Sequence, residues 1–364
     1  MPIENWARKV YWKFKFRYLL NKKLDVSVDR AEKCLRDNFH QKTPAFTQVN
    51  QIVEQYDVMI VIPVYNAERY LEQCIDSILG QKTEFTFQAI FVEDGSADRS
   101  REILRQRVRL PHIVIEQENK GVSAARNVAL RRISGRYVMF LDSDDFLATN
   151  AIDKLVSTAD ACCADIVEAG HLFFAHQDKK CQVRHGEKMG EIASRELFGF
   201  PWGKVIRSNL LEDFCFPENY FFEDTVMSTL VHPLSRKTIA VPDILYYYRD
   251  NGMGITHRSK NLKEATDTFW IMKYCLEERL RRGQVLEHTD YIKYLLAARR
   301  NWIRTKELPM EIRQGIFVLT CELFDKNLKF SYKGSEQRMQ MLELAIRQRS
   351  YLAFSYILEL WDCL

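Results

Sequence analysis

The chain has 364 residues, of which 46% are hydrophobic and 28% charged, and its formal net charge at pH 7 is +4. This composition is typical of a globular protein of roughly two domains, and it excludes a disordered or fibrous one. Because 49 acidic residues balance 53 basic ones, it also excludes a nucleic-acid binder that relies on bulk positive charge.

The nine cysteines include no Cys-x-x-Cys pair, which favours reduced thiols over a disulfide framework or a zinc site. No apolar run approaches the ~18–20 residues that span a bilayer. The basic N-terminus lacks the apolar stretch of a signal peptide. The sequence thus predicts a cytoplasmic protein, with peripheral attachment to the inner face of the cytoplasmic membrane as an open alternative.

Residues 1–50 are predicted to form a basic and aromatic N-terminal extension. Within 6–23 there are seven cations, several aromatic residues and no acid, a composition typical of a segment attracted to anionic lipid. However, the cations do not fall on one helical face, and 12–18 alternate aromatic and cationic residues with the period of a strand. Contact of 6–23 with an anionic membrane and docking of its aromatic residues on the protein itself both fit this pattern.

Residues 51–256 are predicted to form an α/β domain with a mainly parallel sheet. Short apolar runs alternate with segments of helical spacing, which implies βαβ units covered on both faces. The predicted strands are 58–62, 87–92, 112–115 and 137–141, and the predicted helices between them are 71–79, 98–109 and 122–133. Ligands of such sheets bind beyond the carboxyl ends of the strands. The polar clusters 65–66, 93–96 and 142–145 all fall there, so we predict a single site at this edge.

Residues 257–364 carry helical patterns rich in Lys, Arg, Leu and aromatic residues. They predict a smaller α-helical domain. Its nearly all-apolar last helix, 351–361, is expected to pack in the core, with a membrane or dimer surface as the alternative.

The most informative stretch is the strand 137–141 and the acids that follow it. Asp142 and Asp144 are two positions apart, so in an extended chain their carboxylates face the same side and repel each other unless a positive group lies between them. A hard divalent cation, Mn²⁺ or Mg²⁺, together with a nucleotide diphosphate is the simplest such partner. The alternative is a solvated turn in which Asp145, Thr149 or Asn150 caps the helix that begins near 150.

Several common catalytic and nucleotide-binding motifs are absent from the sequence. The first strand-to-helix turn, 63–68, contains no glycine, so it is not a Gly-x-Gly-x-x-Gly dinucleotide cradle. Gly203-Lys204 lacks the upstream glycine of a P-loop. Neither His-Glu-x-x-His nor Gly-x-Ser-x-Gly occurs, which argues against zinc proteases and serine hydrolases.

Four sequence blocks resemble, in order, the successive signatures of family 2 glycosyltransferases with the GT-A fold, of the type that builds bacterial surface glycans. These blocks are 63–66, 92–96, 119–127 and 140–145. Each block is common alone, but four in this order are specific. A weaker resemblance continues through 202–204, 222–224 and 247–249, so that the resemblance covers about 57–256.

The resemblance implies that a nucleotide-sugar, expected to be a UDP-sugar, binds at the strand ends. Val64 and Tyr65 would pack against the base, and Asp94 would accept a hydrogen bond from a uracil-type imide. Arg126, near the N-terminus of a helix, would meet the base or the diphosphate. The other predicted nucleotide-sugar-binding residues are Pro63, Asn66, Glu93, Gly121, Asp142, Ser143, Trp202 as a platform for the sugar ring, and Arg249.

The resemblance also implies a metal site. Asp142 and Asp144 would hold Mn²⁺ or Mg²⁺, with Asp145 and His257 as further candidate ligands. The metal would offset the charge that develops on the departing nucleoside diphosphate.

For catalysis, the resemblance implies that Asp224, with Glu223 beside it, is the general base that takes the proton of the acceptor hydroxyl. The two acids could equally cap a helix that begins at Thr225. The implied reaction is an inverting, direct displacement onto a hydroxyl of a glycan or glycolipid acceptor. By analogy, the product belongs to a capsule, lipooligosaccharide or exopolysaccharide.

Two other functions are compatible with the sequence, namely a sugar nucleotidyltransferase and a non-catalytic GT-A-like binding protein. The first usually has a glycine- and lysine-rich phosphate loop after its first strand, and this chain has none. The second is expected to lack the paired acids, whereas Asp142, Asp144 and the pair 223–224 are present. The sequence therefore favours a glycosyltransferase.

Overall fold

The structure is a computed structural model that describes residues 12–38, 43–175, 182–184, 190–251 and 263–363. The chain divides into two compact units. One unit is Pro44–His257, and the other combines Met1–Thr43 with Arg258–Leu364. The N-terminal segment therefore groups with the C-terminal helices and does not form a body of its own.

The secondary structure follows the order expected of an α/β domain with added helices. The described strands are β1 (Gln51–Val64), β2 (Phe87–Asp94), β3 (Ile113–Gln117), β4 (Arg132–Phe140), β5 (Phe146–Leu147), β6 (Ile166–Ala175), β7 (Gln182–Arg184), β8 (Gly190–Ile192), β9 (Lys204–Arg207) and β10 (Thr238–Asp250). The described α-helices are α1 (12–20), α2 (Val28–Asn38), α3 (Leu71–Leu79), α4 (Ser100–Arg107), α5 (Val122–Leu130), α6 (Ala151–Cys162), α7 (Asp267–Arg281), α8 (His288–Thr305), α9 (Met310–Asn327), α10 (Gln337–Arg347) and α11 (Tyr351–Glu359).

The strands of the first unit form one sheet with the order β3-β2-β1-β4-β9-β6-β10-β5, in which β7 also pairs with β6 and β8 with β10. Strands β3, β2, β1 and β4 are parallel to one another, and so are β6 and β10. Strand β9 is antiparallel to both β4 and β6. The predicted α/β fold with a mainly parallel sheet is confirmed.

The centre of the sheet is built from the apolar runs that the sequence indicates. Residues 58–62 of β1 are fully buried, as expected for a strand covered on both faces. Helix α3 buries Leu71, Cys74, Ile75 and Ile78, which have the spacing of an apolar helical face, whereas Leu79, predicted to share that face, is 49% exposed. Because β3, β2, β1 and β4 are adjacent and parallel, the segments that follow them emerge at one edge of the sheet.

The second unit is helical in its described residues. Helix α9 crosses α2 at Gly315, where a Cβ would lie 3.5 Å from the Leu35 side chain. Helix α11 buries five of its nine residues, which supports the predicted core packing of this segment. In the described part of the chain, no helix combines the length and apolar character needed to cross a membrane.

Residues 12–20 are helical, so the strand-like alternation of 12–18 does not predict their structure. Phe16 is 3% exposed, and the Ser350 hydroxyl donates to the Leu19 carbonyl at 2.7 Å. Burial on one side of the helix therefore overrides the local alternation.

Glycine at position 135 is required by a close approach of two strands. The pairing of β1 and β4 shifts register between Ile52 and Tyr56. A Cβ on Gly135 would lie 2.2 Å from the Met59 amide nitrogen and 2.7 Å from the Val58 carbonyl carbon. We expect Gly135→Ala to destabilise the protein by about 1–3 kcal/mol or more, because backbone must move to make room.

Thermal unfolding followed by circular dichroism measures this effect. Gly190→Ala is the matched control, since a Cβ there would meet no atom within 4 Å. Equal Tm values for the two variants would contradict the expectation.

Candidate active site

The loops that follow β1 and β2 are tied together at the carboxyl edge of the sheet. The Asn66 amide donates to Ser96 Oγ at 3.0 Å, and Asn66 Oδ1 accepts from the Ala97 amide at 2.9 Å. Asn66 has a φ of +48°, a left-handed conformation that asparagine tolerates better than most residues. The glycine-free turn is thus held by the next loop, and the two predicted clusters lie together.

At the end of β1, only one of the three predicted apolar contacts is accessible. Tyr65 is 48% exposed, whereas Val64 is fully buried in the core and Pro63 is also buried. The predicted packing of Val64 against a base is therefore not supported, because its side chain lies in the core. Tyr65 offers an exposed ring at this position.

Glu93 is engaged inside the protein. Its carboxylate accepts from the Ser96 amide at 2.5 Å and from Arg101 at 2.9 Å, and its side chain is fully buried. Burial alone would raise the pKa of Glu93, but the hydrogen bonds from Ser96 and Arg101 outweigh it and lower the pKa below its usual value. The predicted ligand contact is replaced by a structural role, since Glu93 holds the 93–96 turn.

Asp94 fixes the loop that leads into α5. Its buried carboxylate accepts from Gln117 Nε2 at 2.6 Å and from the amides of Lys120 and Gly121, both at 2.8 Å. Gly121 precedes the helix with a φ of +85°, which glycine adopts without strain. A carboxylate can accept about four hydrogen bonds. Asp94 already accepts three, so the predicted hydrogen bond from a uracil imide would take the fourth position.

A cavity of about 480 Å³ opens at the carboxyl ends of β2 and β3. It adjoins the Asp94 loop and is lined by Gly95, Arg101, Glu116, Gln117, Glu118 and Asn119.

Arg126 joins two acids that are far apart in the sequence. Its Nη2 donates to Asp142 Oδ1 and its Nη1 to Glu223 Oε1, each at 2.9 Å. The guanidinium is 5.2 Å from the centre of the Phe216 ring, and the residue is 3% exposed. Burial would lower the pKa of Arg126, but the charges of Asp142 and Glu223 outweigh it and raise the pKa. The strand-end acids and the predicted catalytic pair therefore belong to one site.

Asp142 and Asp144 are both partly accessible. Burial, followed by the charge of Asp142, raises the pKa of Asp144. Asn251 Nδ2 donates to Asp144 Oδ2 at 3.1 Å. Among the described residues, no group of three or more His, Cys, Asp or Glu side chains is arranged to hold a metal ion. Two carboxylates fit an ion such as Mg²⁺, which proteins bind through one or two acids plus water and substrate phosphates.

Asp145 points into the fold. Its oxygens accept from Tyr246 Oη at 2.6 Å and from the Arg249 amide at 2.7 Å, and the residue is almost fully buried. Burial and the charges of Asp144 and Asp142 raise its pKa well above the usual value. The metal-ligand role predicted for Asp145 is therefore not supported.

Arg249 is also a structural residue. Its guanidinium lies 4.3 Å from the ring centre of Tyr70 and 4.6 Å from that of Phe174. Its Nε donates to the Asp144 carbonyl at 2.8 Å and its Nη2 to Gln73 Oε1 at 2.5 Å. Arg249 was predicted to bind the nucleotide-sugar, but in the structure it reaches from β10 and holds residues 142–145, here called the aspartate loop. Ser143 is half-buried in this loop, and His257 lies outside the described residues.

Trp202 is buried in an aromatic cluster. The residue is 4% exposed, and its ring stacks with those of Phe200 and Tyr246 at 4.6 and 4.5 Å. It has no open face for a sugar, which corrects the predicted platform role. Nearby, Lys204 Nζ donates to the carbonyls of Phe198 and Phe200 at 2.8 Å, which fixes the 198–202 segment.

Glu223 and Asp224 precede a short helical segment. Phe222 has a φ of +63°, which is uncommon for a bulky residue and typical of a constrained functional loop. The carbonyls of Glu223 and Asp224 accept from the amides of Val226 and Met227, so a helical turn does begin at this point. Glu223 is engaged by Arg126, and Asp224 is partly accessible.

The sequence profile described as glycosyl transferase family 2 matches residues 59–207. This range includes the four blocks on which the resemblance rests. These residues are therefore similar to glycosyl transferase family 2.

Two curated relatives are similar to a part of the chain. Glycosyltransferase GlyA of Streptococcus pneumoniae is 34% identical over 211 residues, which cover 53% of this chain and 30% of GlyA. The minor teichoic acid biosynthesis protein GgaB of Bacillus subtilis is 28% identical over 214 residues, which cover 55% of this chain and 24% of GgaB. The chain thus spans less than a third of the length of either relative.

The fold extends beyond the family 2 segment. A crystal structure of S. aureus TarS 1–349 in complex with UDP-GlcNAc matches with a TM-score of 0.68 and 20% sequence identity, over 84% of this chain and 92% of that chain. At this identity the likeness establishes the fold alone. The predicted GT-A fold is confirmed, and so is the resemblance of this segment to family 2.

Asn127 closes the sequence block 119–127, but no role was predicted for it. Its Nδ2 donates to the Phe216 carbonyl at 2.9 Å and to Glu218 Oε1 at 3.1 Å, and its Oδ1 accepts from the Phe216 amide at 2.7 Å. The next residue back, Arg126, holds Glu223. Helix α5 therefore holds the segment 216–223 at both ends, through Asn127 and through Arg126. The available signal was an amide side chain next to Arg126 in a helix whose other residues are mostly small or apolar.

The lowered pKa of Glu93 predicts a pH-dependent stability difference. We expect Glu93→Gln to lower the unfolding free energy by about 1–3 kcal/mol at pH 7. The reason is that the Ser96 amide and Arg101 lose the charged acceptor to which they donate. A carboxyl whose folded pKa is depressed stabilises the protein above its unfolded pKa of about 4.3 and loses this effect as pH falls through the folded value.

The Tm difference between wild type and Glu93→Gln should therefore shrink below about pH 4. Differential scanning fluorimetry from pH 3 to 8 measures it. Exposed Glu84→Gln is the control and should track wild type at every pH. A Tm difference that stays constant down to pH 3 would show that the charge of Glu93 does not contribute to stability.

Proposed function

We propose that this chain is a glycosyltransferase that moves a sugar from a nucleotide-sugar to a hydroxyl of a glycan or glycolipid. The observation that carries the proposal is the double ion pair of Arg126. It places the acids at the end of β4 beside the pair at 223–224, as a donor site next to an acceptor base requires. The family 2 segment and the GT-A fold support the same activity.

For the donor, the proposal is a UDP-sugar at the carboxyl ends of β1, β2 and β4. Tyr65 supplies an exposed ring for a base, and the cavity beside Asp94 supplies room. Within the described residues, Arg126 Nε finds no hydrogen-bond acceptor although it is buried, which is a typical place for a ligand anion. The TarS structure of the same fold was solved with UDP-GlcNAc.

For the cofactor, the proposal is a single Mn²⁺ or Mg²⁺ held by Asp142 and Asp144. Such an ion would neutralise the charge of the leaving nucleoside diphosphate. Arg126 pairs with Asp142 and so orients the carboxylate that faces the donor. Asp145 and Arg249 hold the loop in place from behind.

For the chemical step, Asp224 accepts the proton of the acceptor hydroxyl while the hydroxyl oxygen attacks the anomeric carbon. The new carbon–oxygen bond forms on the face opposite the diphosphate, whose own bond to that carbon breaks, so the configuration inverts. The nucleoside diphosphate leaves with the bonding electron pair. Glu223 stays paired with Arg126 and keeps Asp224 at the donor.

For the setting, the proposal is the cytoplasm, at the inner face of the cytoplasmic membrane, in the synthesis of a surface polysaccharide. The relative GgaB acts in minor teichoic acid biosynthesis by its name. A glycolipid acceptor would be presented at that face.

Removal of the metal or of Asp144 should weaken nucleotide binding. We expect EDTA and Asp144→Asn each to lower the affinity for UDP by at least about tenfold relative to wild type with Mn²⁺. Isothermal titration calorimetry with UDP measures both effects. Asp37→Asn, at an exposed position, should bind like wild type. UDP affinity that is the same with Mn²⁺ and with EDTA would refute the metal site.

Loss of the base should stop turnover and leave binding intact. We expect Asp224→Asn to lower kcat by about 10²–10⁴-fold, since an amide cannot accept the hydroxyl proton. UDP affinity should stay within about twofold of wild type, because the donor site keeps its charged groups.

Turnover is measured as release of UDP from a panel of UDP-sugars with Mn²⁺. Asp213→Asn serves as the control, because Asp213 is an exposed acid that precedes the 223–224 pair by about ten residues. Full turnover by Asp224→Asn would eliminate this residue as the base. If none of the UDP-sugars turns over with wild type, the UDP specificity fails.

A further inference from the structure

Helix α1 is anchored to its own unit by one side. Phe16 is buried, and Trp12, Leu19 and Leu20 are partly buried. At about 100° per residue these four positions share one arc of the helix. The Leu24 amide donates to the Arg349 carbonyl at 2.9 Å just after the helix. The inward arc is therefore occupied by the helix's own docking contacts.

The outward arc combines exposed aromatic rings with cations. Phe14 and Tyr18 are one turn apart and are 67% and 63% exposed. At the same spacing of about 100°, Lys13 and Arg17 lie on one side of the two rings and Lys15 lies on the other. The cations of 6–23 do not fall on one helical face. In the structure, however, Phe16 is buried and Lys13, Lys15 and Arg17 are all exposed.

The neighbouring surface continues both properties. Lys15 Nζ lies 4.8 Å from the ring centre of Tyr356 in α11, and Leu352, one turn earlier in that helix, is 48% exposed. Lys22 Nζ lies 5.2 Å from the Tyr18 ring centre, and Lys23 is exposed. Acids resume only at Asp25. Lys13 likewise lies over the Trp12 ring, at 5.6 Å from its centre, and within the described residues none of these cations is ion-paired with a carboxylate.

We propose that this face, defined by Phe14, Tyr18 and Leu352 and the surrounding cations, docks on an anionic lipid bilayer. Phe14 and Tyr18 would enter the headgroup region, where amphipathic rings are stabilised. The cations on both sides would meet lipid phosphates, to which long basic side chains reach from an interfacial helix. Rings at the centre and cations at both borders match a planar, negatively charged surface. The proposal is independent of the glycosyltransferase chemistry, because the face belongs to the other unit of the chain.

Vesicle co-sedimentation of the full chain tests the proposal. We expect binding to vesicles with 30% phosphatidylglycerol in phosphatidylcholine, and little binding to pure phosphatidylcholine. Replacing Lys13, Lys15 and Arg17 with Gln should lower the partition coefficient roughly a hundredfold, at about fivefold per cation. Phe14→Ala with Tyr18→Ala should lower it at least about tenfold. High salt should release the wild type.

Two controls separate this face from general charge and hydrophobicity. Lys329→Gln with Lys333→Gln removes exposed cations of the same unit, and Leu110→Ala removes an exposed apolar side chain. Both should bind vesicles like wild type. Equal binding to neutral and anionic vesicles, or equal losses in the controls, would overturn the proposal.

A second copy of the chain is the other occupant that the experiment can detect. If the aromatic face mediates self-association, Phe14→Ala with Tyr18→Ala changes the mass in analytical ultracentrifugation and wild type does not bind vesicles. That result also overturns the proposal. UDP release by the variants, measured without vesicles, should equal that of wild type, so failure of membrane docking and failure of the enzymatic activity are distinguishable.

Discussion

The candidate site depends on one buried guanidinium between two carboxylates. Arg126 is the element that brings the end of β4 and the 223–224 loop together, although these segments are separated by about 80 residues. Breaking a buried ion pair by removing one partner typically costs about 3–5 kcal/mol, since the remaining charges lose their compensation. The same three groups therefore set the local stability and the position of the proposed base. Asn127 adds a neutral clamp to this arrangement, so adjacent positions of α5 fix one loop by charge and by amide hydrogen bonds.

The sheet and the edge that carries the site could be predicted because their signals are local. Apolar runs such as 58–62 are buried wherever a parallel sheet is covered on both faces, and parallel neighbours bring their ends together. The sequence does not predict which residues of a strand-end cluster bind a ligand and which hold a loop. Glu93, Asp145 and Arg249 have charges that suit a ligand, yet each is used by the protein to hold a loop. Charge indicates that a partner is needed, and only the packed structure shows whether that partner is internal.

The exposure of aromatic side chains could not be predicted either. Trp202 was predicted to be open and is buried, because its ring completes a stack with Phe200 and Tyr246. Phe14 and Tyr18 lie in a segment whose alternation suggested a strand, yet they are exposed on a helix. In both cases the sequence shows that the side chain is aromatic, but it does not show whether another part of the protein covers the ring. The burial of Phe16, with partial burial of Trp12, Leu19 and Leu20, decides which side of α1 faces outward.

Strand β10 has a consequence for how the catalytic unit can be cut or exchanged. It lies between β6 and β5 in the sheet, and its Tyr246 and Arg249 hold the aspartate loop at the end of β4. A fragment bounded by the family 2 segment, 59–207, would lack this strand and leave the hydrogen-bonding edge of β6 open. The smallest transferable module therefore has to extend through Asp250, so recombination or expression boundaries set by sequence similarity alone would produce a protein that aggregates.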